Sequence, residues 1–269
     1  MKQETLLEFE SLLRERIPEF RVSYKNQSWL HKVLGFFLKP VNPGYMTDFV
    51  TTLGSNVAFP SKEHYLSKPQ GSFNVLAHEF VHACDHKKSP VWFTLSYLFP
   101  QLLGLLPLLV FGLLTGRNAL LLTLPFFAYL ACCAITQWSR IAAISVLILG
   151  MVGTLYLSWT LVGWTTLWFL GGLLLLGPWP SPGRTHWEKR GYAMSLSMYQ
   201  WLNYPLTERL KTYMEGHFVT SQYYFMCWSR KKIRAYIDQT LDDARLGRIQ
   251  NHEPWGLVYD FLRSHRLVK

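Results

Sequence analysis

The chain has 269 residues, enough for one or two domains, and carries 27 Lys+Arg against 17 Asp+Glu. A basic balance fits anionic lipid or nucleic acid; no nucleic-acid motif is visible, so no nucleic-acid partner is expected. Four cysteines (Cys84, Cys132, Cys133, Cys227), none at CxxC spacing, argue against a disulfide framework and a thiolate zinc site.

No apolar run follows the charged residues Lys2 and Glu4, so no secretory signal peptide is expected. The pattern predicts a polar helix over 1–17, with Leu6, Leu7, Leu12, Leu13 and Ile17 on or near one side and Pro18 ending it. Residues 28–39 are strongly apolar with basic edges. They are too short to span a bilayer and read equally well as a core helix or as one lying on a membrane surface. Two β-prone runs, 49–52 and 57–59, flank Gly54-Ser55-Asn56 and predict a hairpin. A short helix and loop are expected over 61–71.

Residues 76–88 carry the clearest chemistry. Within them lies His78-Glu79-Phe80-Val81-His82, an HExxH motif. Phe73, Leu76, Ala77, Phe80 and Ala83 recur at helical spacing, with Ser72 as expected N-cap and Pro90 as expected stop. On a helix, positions i and i+4 share a face, so both imidazoles reach one metal ion at about 2.0–2.1 Å. A carboxylate beside that ion is placed to take a proton from water, the role assigned to Glu79. Asp85, three residues after His82, reads equally as a carboxylate that orients an imidazole and as a plain surface aspartate.

From residue 89 to 180 the only charged residues are Arg117 and Arg140. That block is expected to be membrane-embedded, with spans near 92–115, 118–136, 141–158 and 161–178. Basic residues Lys87 and Lys88 before it, and Arg184, Lys189 and Arg190 after it, place both flanks on the cytoplasmic side. The tail, 181–269, is expected to form helices over 192–204, from 205 onward, over 229–249 and over 254–266.

Two histidines need a third protein ligand. Glu188, just after the block, is the choice; four crossings, or two, return it to the side of His78 and His82. Thr185-x-x-Glu188 is also a capping box, in which Glu188 would only satisfy a backbone N–H. Further alternatives are His186, Glu208, Glu215, Asp238, Asp242 and Asp243. Tyr192, one turn past Glu188, is placed either to donate to a developing oxyanion or simply to pack in the core.

On these residues the chain resembles the gluzincin class of HExxH zinc metallopeptidases. Its order of motif, apolar helices and glutamate is similar to the membrane-embedded CAAX-protease group. The resemblance covers 50–88 and 185–193. It implies one zinc ion per chain, hydrolysis of a peptide or protein substrate, Glu79 as general base, and an edge strand that pairs with the extended substrate. The fold expected is a mainly α membrane protein. Its zincin-like α+β catalytic core, with a small sheet, spans 1–88 and 181–269 and is interrupted by about four transmembrane helices over 89–180. Lipid bilayer is then a partner. The expected location is the cell (inner) membrane, as a multi-pass protein with a cytoplasmic active site. Two alternatives stay open: a membrane di-iron lipid oxidase of the desaturase type, and a non-enzymatic membrane interaction protein with a vestigial metal site.

Overall fold

The computed structural model describes residues 1–38, 44–99, 101–115, 156, 159–160, 163–165, 167–168, 171, 180–219, 226–227 and 229–268. These hold ten α-helices and one three-stranded sheet. The chain divides into two compact units: Met1–Gln27 with Val50–Phe99 and Pro178–Lys269, and Ser28–Phe49 with Pro100–Gly177.

The first unit grows from α1, Gln3–Arg16. Leu6, Phe9, Leu13 and Ile17 sit at helical spacing and are all buried, whereas Leu7 is turned to solvent. Ile17 leaves the helix in an extended conformation, as the clash with the following Pro18 requires. Strand β1 (Arg21–Tyr24), not foreseen in the sequence, runs parallel to β3 (Asn56–Phe59). The expected hairpin is present: β2 (Thr51–Leu53) pairs antiparallel with β3 across the two-residue turn Gly54-Ser55. Gly54 takes φ +62°, which a glycine adopts without steric cost. The order β1-β3-β2 leaves β2 at an edge.

Helix α3 (Lys62–Ser67) is capped by Ser61 and leads into α4 (Pro69–Lys88), the motif helix. Proline opens α4, where its missing N–H costs nothing. Ser72 is not its cap; it lies inside α4, and its hydroxyl donates to the Tyr65 carbonyl at 2.6 Å. Serine 89 alone separates α4 from α5 (Pro90–Leu98). After the residues of the second unit come α7 (Pro182–Trp201), α8 (Glu208–Val219), α9 (Arg230–Arg245) and α10 (Trp255–Ser264).

The main core joins α1, α4, α7 and α10. Phe9 lies 4.1 Å from Phe73 and 5.0 Å from Phe261 between ring centroids, with Leu76, Ala77 and Phe80 continuing the inner face of α4. A second cluster joins Leu196 of α7 to Met214 and Phe218 of α8 and Ile233 and Ile237 of α9. Helix α7 therefore has core on two sides, and every residue from Ala193 to Met198 is buried.

In the second unit, α2 (Trp29–Leu38) buries His31, whose Nδ1 lies 2.7 Å from the Tyr45 hydroxyl. Trp29 and Phe36 are exposed. Helix α6 (Gln101–Thr115) also belongs to this unit.

The membrane expectation is corrected here. Among the described residues no helix is long and apolar enough to cross a membrane. The first expected span, 92–115, is two helices of 9 and 15 residues. At 1.5 Å per residue they measure roughly 13 and 22 Å, against about 30 Å of bilayer core. The break has a local cause: Phe99 is extended ahead of Pro100, which disfavours the helical region for the residue before it. The spans expected at 118–136, 141–158 and 161–178 lie almost wholly outside the described residues. What the described residues form is a mainly helical fold with one small sheet, and neither a multi-pass membrane protein nor a location in the inner membrane is supported.

The aromatic cluster of α1, α4 and α10 gives a direct test of this core. Phe73→Ala should cost about 3–5 kcal/mol in unfolding free energy measured with urea. A loss under about 1 kcal/mol would mean that Phe73 does not hold these helices together.

Candidate metal centre

Two helices build the site. In α4, His78 and His82 are one turn apart on the face opposed to α7. In α7, Glu188 sits in the second turn. That helix starts at Pro182, with Ser181 as N-cap accepting from the Arg184 N–H at 3.2 Å. The capping-box alternative is thereby resolved: Thr185 is inside the helix and gives its hydroxyl to the Met226 carbonyl at 2.6 Å.

His78 Nε2 and His82 Nε2 are 3.1 Å apart. Glu188 Oε2 is 3.6 Å from the first and 3.8 Å from the second. The three residues form a group able to hold a metal ion. At bond lengths of about 2.0–2.1 Å, two ligands of a tetrahedron lie about 3.3–3.4 Å apart, close to all three separations. Among the described residues no other group of three or more His, Cys, Asp and Glu gathers in this way.

The electrostatics fit a cation. Burial opposes charge on Glu188, but the adjacent His78 imidazole, the charge of His82 and the Tyr97 hydroxyl outweigh it and hold the carboxyl below the usual carboxylate range. Burial also opposes protonation of His78, yet the neighbouring Glu188 carboxylate and the charge of Glu79 raise its pKa. At His82 burial wins, and its pKa falls. One carboxylate and two imidazoles in a water-poor setting thus favour a single positive charge among them.

The neighbours of the three residues were not read from the sequence. Tyr97 of α5 donates to Glu188 Oε1 at 2.6 Å. His78 Nδ1 lies 3.4 Å from Ser195 Oγ, which suits the tautomer that leaves the Nε2 lone pair free. His82 Nδ1 is buried without a partner among the described residues. His217 of α8 is buried behind Tyr192, its ring 5.7 Å away. Gly191, one turn after Glu188, is where α7 passes the His78 ring. A Cβ there would fall 2.6 Å from Nε2 and 2.8 Å from Cε1. That glycine, inside a helix, was the one legible signal of a close approach.

The remaining expected residues have these places. Glu79 is half-buried beside both histidines. Its charge acts on both, and among the described residues its carboxylate makes no hydrogen bond or ion pair. Asp85 is buried, and its two oxygens accept from Arg190 Nε at 2.7 Å and Nη2 at 2.9 Å, so guanidinium takes the place expected for an imidazole. Tyr192 stands edge-on to the His78 ring at 5.0 Å. His186 is exposed. Glu208 and Glu215 pair with Arg234, Asp238 with Lys211, Asp242 with Arg245 and Asp243 with Arg248. Burial pushes the Cys84 thiol up to about 12, away from thiolate chemistry.

No family model, curated protein or solved structure matches this chain. The chemistry of the site therefore has to follow from its own geometry.

Gly191→Ala separates helix stability from the close approach. Alanine improves helix propensity by roughly 0.5–1 kcal/mol, but its methyl displaces the His78 ring. Metal affinity, measured by chelator competition, should fall at least about tenfold while the helical circular dichroism is kept. Unchanged affinity would show that His78 has room to spare.

Proposed function

We propose that the protein is a zinc-dependent metallopeptidase whose ion is held by His78, His82 and Glu188. The convergence of the three ligand atoms at tetrahedral spacing carries the reading. Two imidazoles and one carboxylate suit zinc, and three protein ligands leave a fourth position open, as in catalytic rather than structural sites. Bound there, zinc would supply Lewis acidity toward water and a scissile carbonyl.

The chain's own residues complete the chemistry. Glu79 makes no hydrogen bond or ion pair among the described residues and its charge acts on His78, which supports a role in taking a proton from the attacking water and delivering it to the leaving amine. Among the described residues the edge strand β2 precedes the motif helix and has one row of backbone groups outside the sheet's own ladder, which suits pairing with an extended peptide. A peptide or protein is accordingly the proposed substrate.

The test is metal analysis combined with one substitution. The wild-type chain should bind one equivalent of zinc by mass spectrometry of metals and cleave unstructured peptides, with activity lost to a chelator and restored by zinc. Glu79→Gln should retain the zinc and lose about 10²–10⁴-fold in rate. Wild-type cleavage by Glu79→Gln would defeat the proton-transfer role. Failure of the wild type to take up any divalent ion would defeat the metal site itself.

A further inference from the structure

Resting on that reading of the metal centre, the geometry points to Tyr97 as a positioning residue that restricts Glu188 to one-oxygen ligation and so keeps the fourth coordination position open. Glu188 divides its two oxygens between two tasks. Oε2 faces both histidine Nε2 atoms at 3.6 and 3.8 Å, while Oε1 accepts from the Tyr97 hydroxyl at 2.6 Å. A carboxylate free to turn can offer both oxygens to one ion. One oxygen held in a short hydrogen bond cannot swing in without breaking it.

Tyr97 is itself held from several sides. Its ring lies 5.7 Å from Phe93 at an interplanar angle of 22°, with the Arg184 guanidinium 5.2 Å from its centroid. Arg184 Nε donates to the Tyr97 carbonyl at 3.2 Å. Helix α5 is tied to α7 by Trp187 Nε1 donating to Ser96 Oγ at 2.9 Å and by Ser181 Oγ donating to the Phe99 carbonyl at 2.5 Å. At Gly183 the two backbones come so close that a Cβ would lie 2.2 Å from the Ser96 carbonyl oxygen. The hydroxyl therefore reaches Oε1 from a side chain held between α5 and α7 by contacts other than its own bond to Glu188.

Cobalt(II) in place of zinc makes the ligand number visible, because four-coordinate cobalt absorbs visible light more strongly than five-coordinate cobalt. The cobalt forms of the wild type, Tyr97→Phe and Trp187→Phe are compared, with zinc affinities measured by chelator competition. Tyr97→Phe should weaken the visible band and lower zinc affinity about 10–100-fold. Trp187→Phe removes an α5–α7 hydrogen bond but leaves the hydroxyl in place, so it should lower the melting temperature and keep the wild-type band. If Tyr97→Phe binds cobalt with the wild-type band and zinc within about twofold of wild type, the positioning role is overturned while the metal centre stands. If the wild type binds neither ion, both fall. Should Tyr97→Phe misfold, 3-fluorotyrosine at position 97 gives a second readout. Its fluorine resonance should shift on addition of one zinc equivalent, and an unmoved resonance overturns the proposal.

Discussion

The crossing of α4 over α7 is the constraint on which the site depends. Two imidazoles one turn apart on α4 meet a carboxylate from α7 because α7 presents Gly191 where the His78 ring lies. Any side chain at 191 would hold the helices apart or turn the ring away. The register of the crossing is fixed by a second polar tie. Asp85, three residues after His82, receives both arms of Arg190, two residues after Glu188. A bidentate guanidinium–carboxylate pair has one good geometry, so sliding α7 by a turn would leave buried Asp85 unpaired. The Arg190 guanidinium also lies 5.1 Å from the centre of the Trp255 ring, tying the crossing to α10.

Such a site is costly as pure architecture. Glu188 and His82 are buried, and the Nε2 atoms of the two histidines confront each other at 3.1 Å. Apolar residues at these positions would make a more stable crossing, since a buried ionic group rarely recovers its desolvation in full. The rest of α4 and α7 follows the ordinary rule, with Phe73, Leu76, Phe80, Met194 and Met198 inside. The polar cluster is thus a local exception in an otherwise consistent core, and exceptions of that kind concentrate at functional sites.

What the sequence revealed was local. The i, i+4 histidines, the apolar stripe of α4 and the turn at Gly54 each follow from a spacing or a backbone preference that neighbouring residues determine. Glu188 was reached by elimination, and its capping alternative needed the observed start of α7 to be set aside. Tyr97, Ser195 and Arg190 were missed as partners because nothing in their own neighbourhood marks them. Each meets its partner more than 90 positions away in the chain. The membrane expectation failed for a related reason. Mean apolarity over residue 89 onward averages across Ser89, Pro90 and Pro100, which divide the chain into helices, and across Ser96 and Tyr97, which face α7.

That short helix shows why composition misled. Of nine residues in α5, Val91, Trp92, Leu95 and Leu98 are exposed, and Phe93, Ser96 and Tyr97 turn toward α7 and the histidines. In a hydropathy average the two sets are indistinguishable. In the fold they differ completely, because one serine after α4 suffices to turn the chain back over its own histidines. A longer connection would let α5 settle in many places; a single residue leaves few. The motif helix therefore brings with it, nineteen residues after His78, the phenol that meets Glu188. Two members of the cluster and the phenol that meets the third lie on one continuous stretch of chain, and only Glu188 has to be delivered from afar.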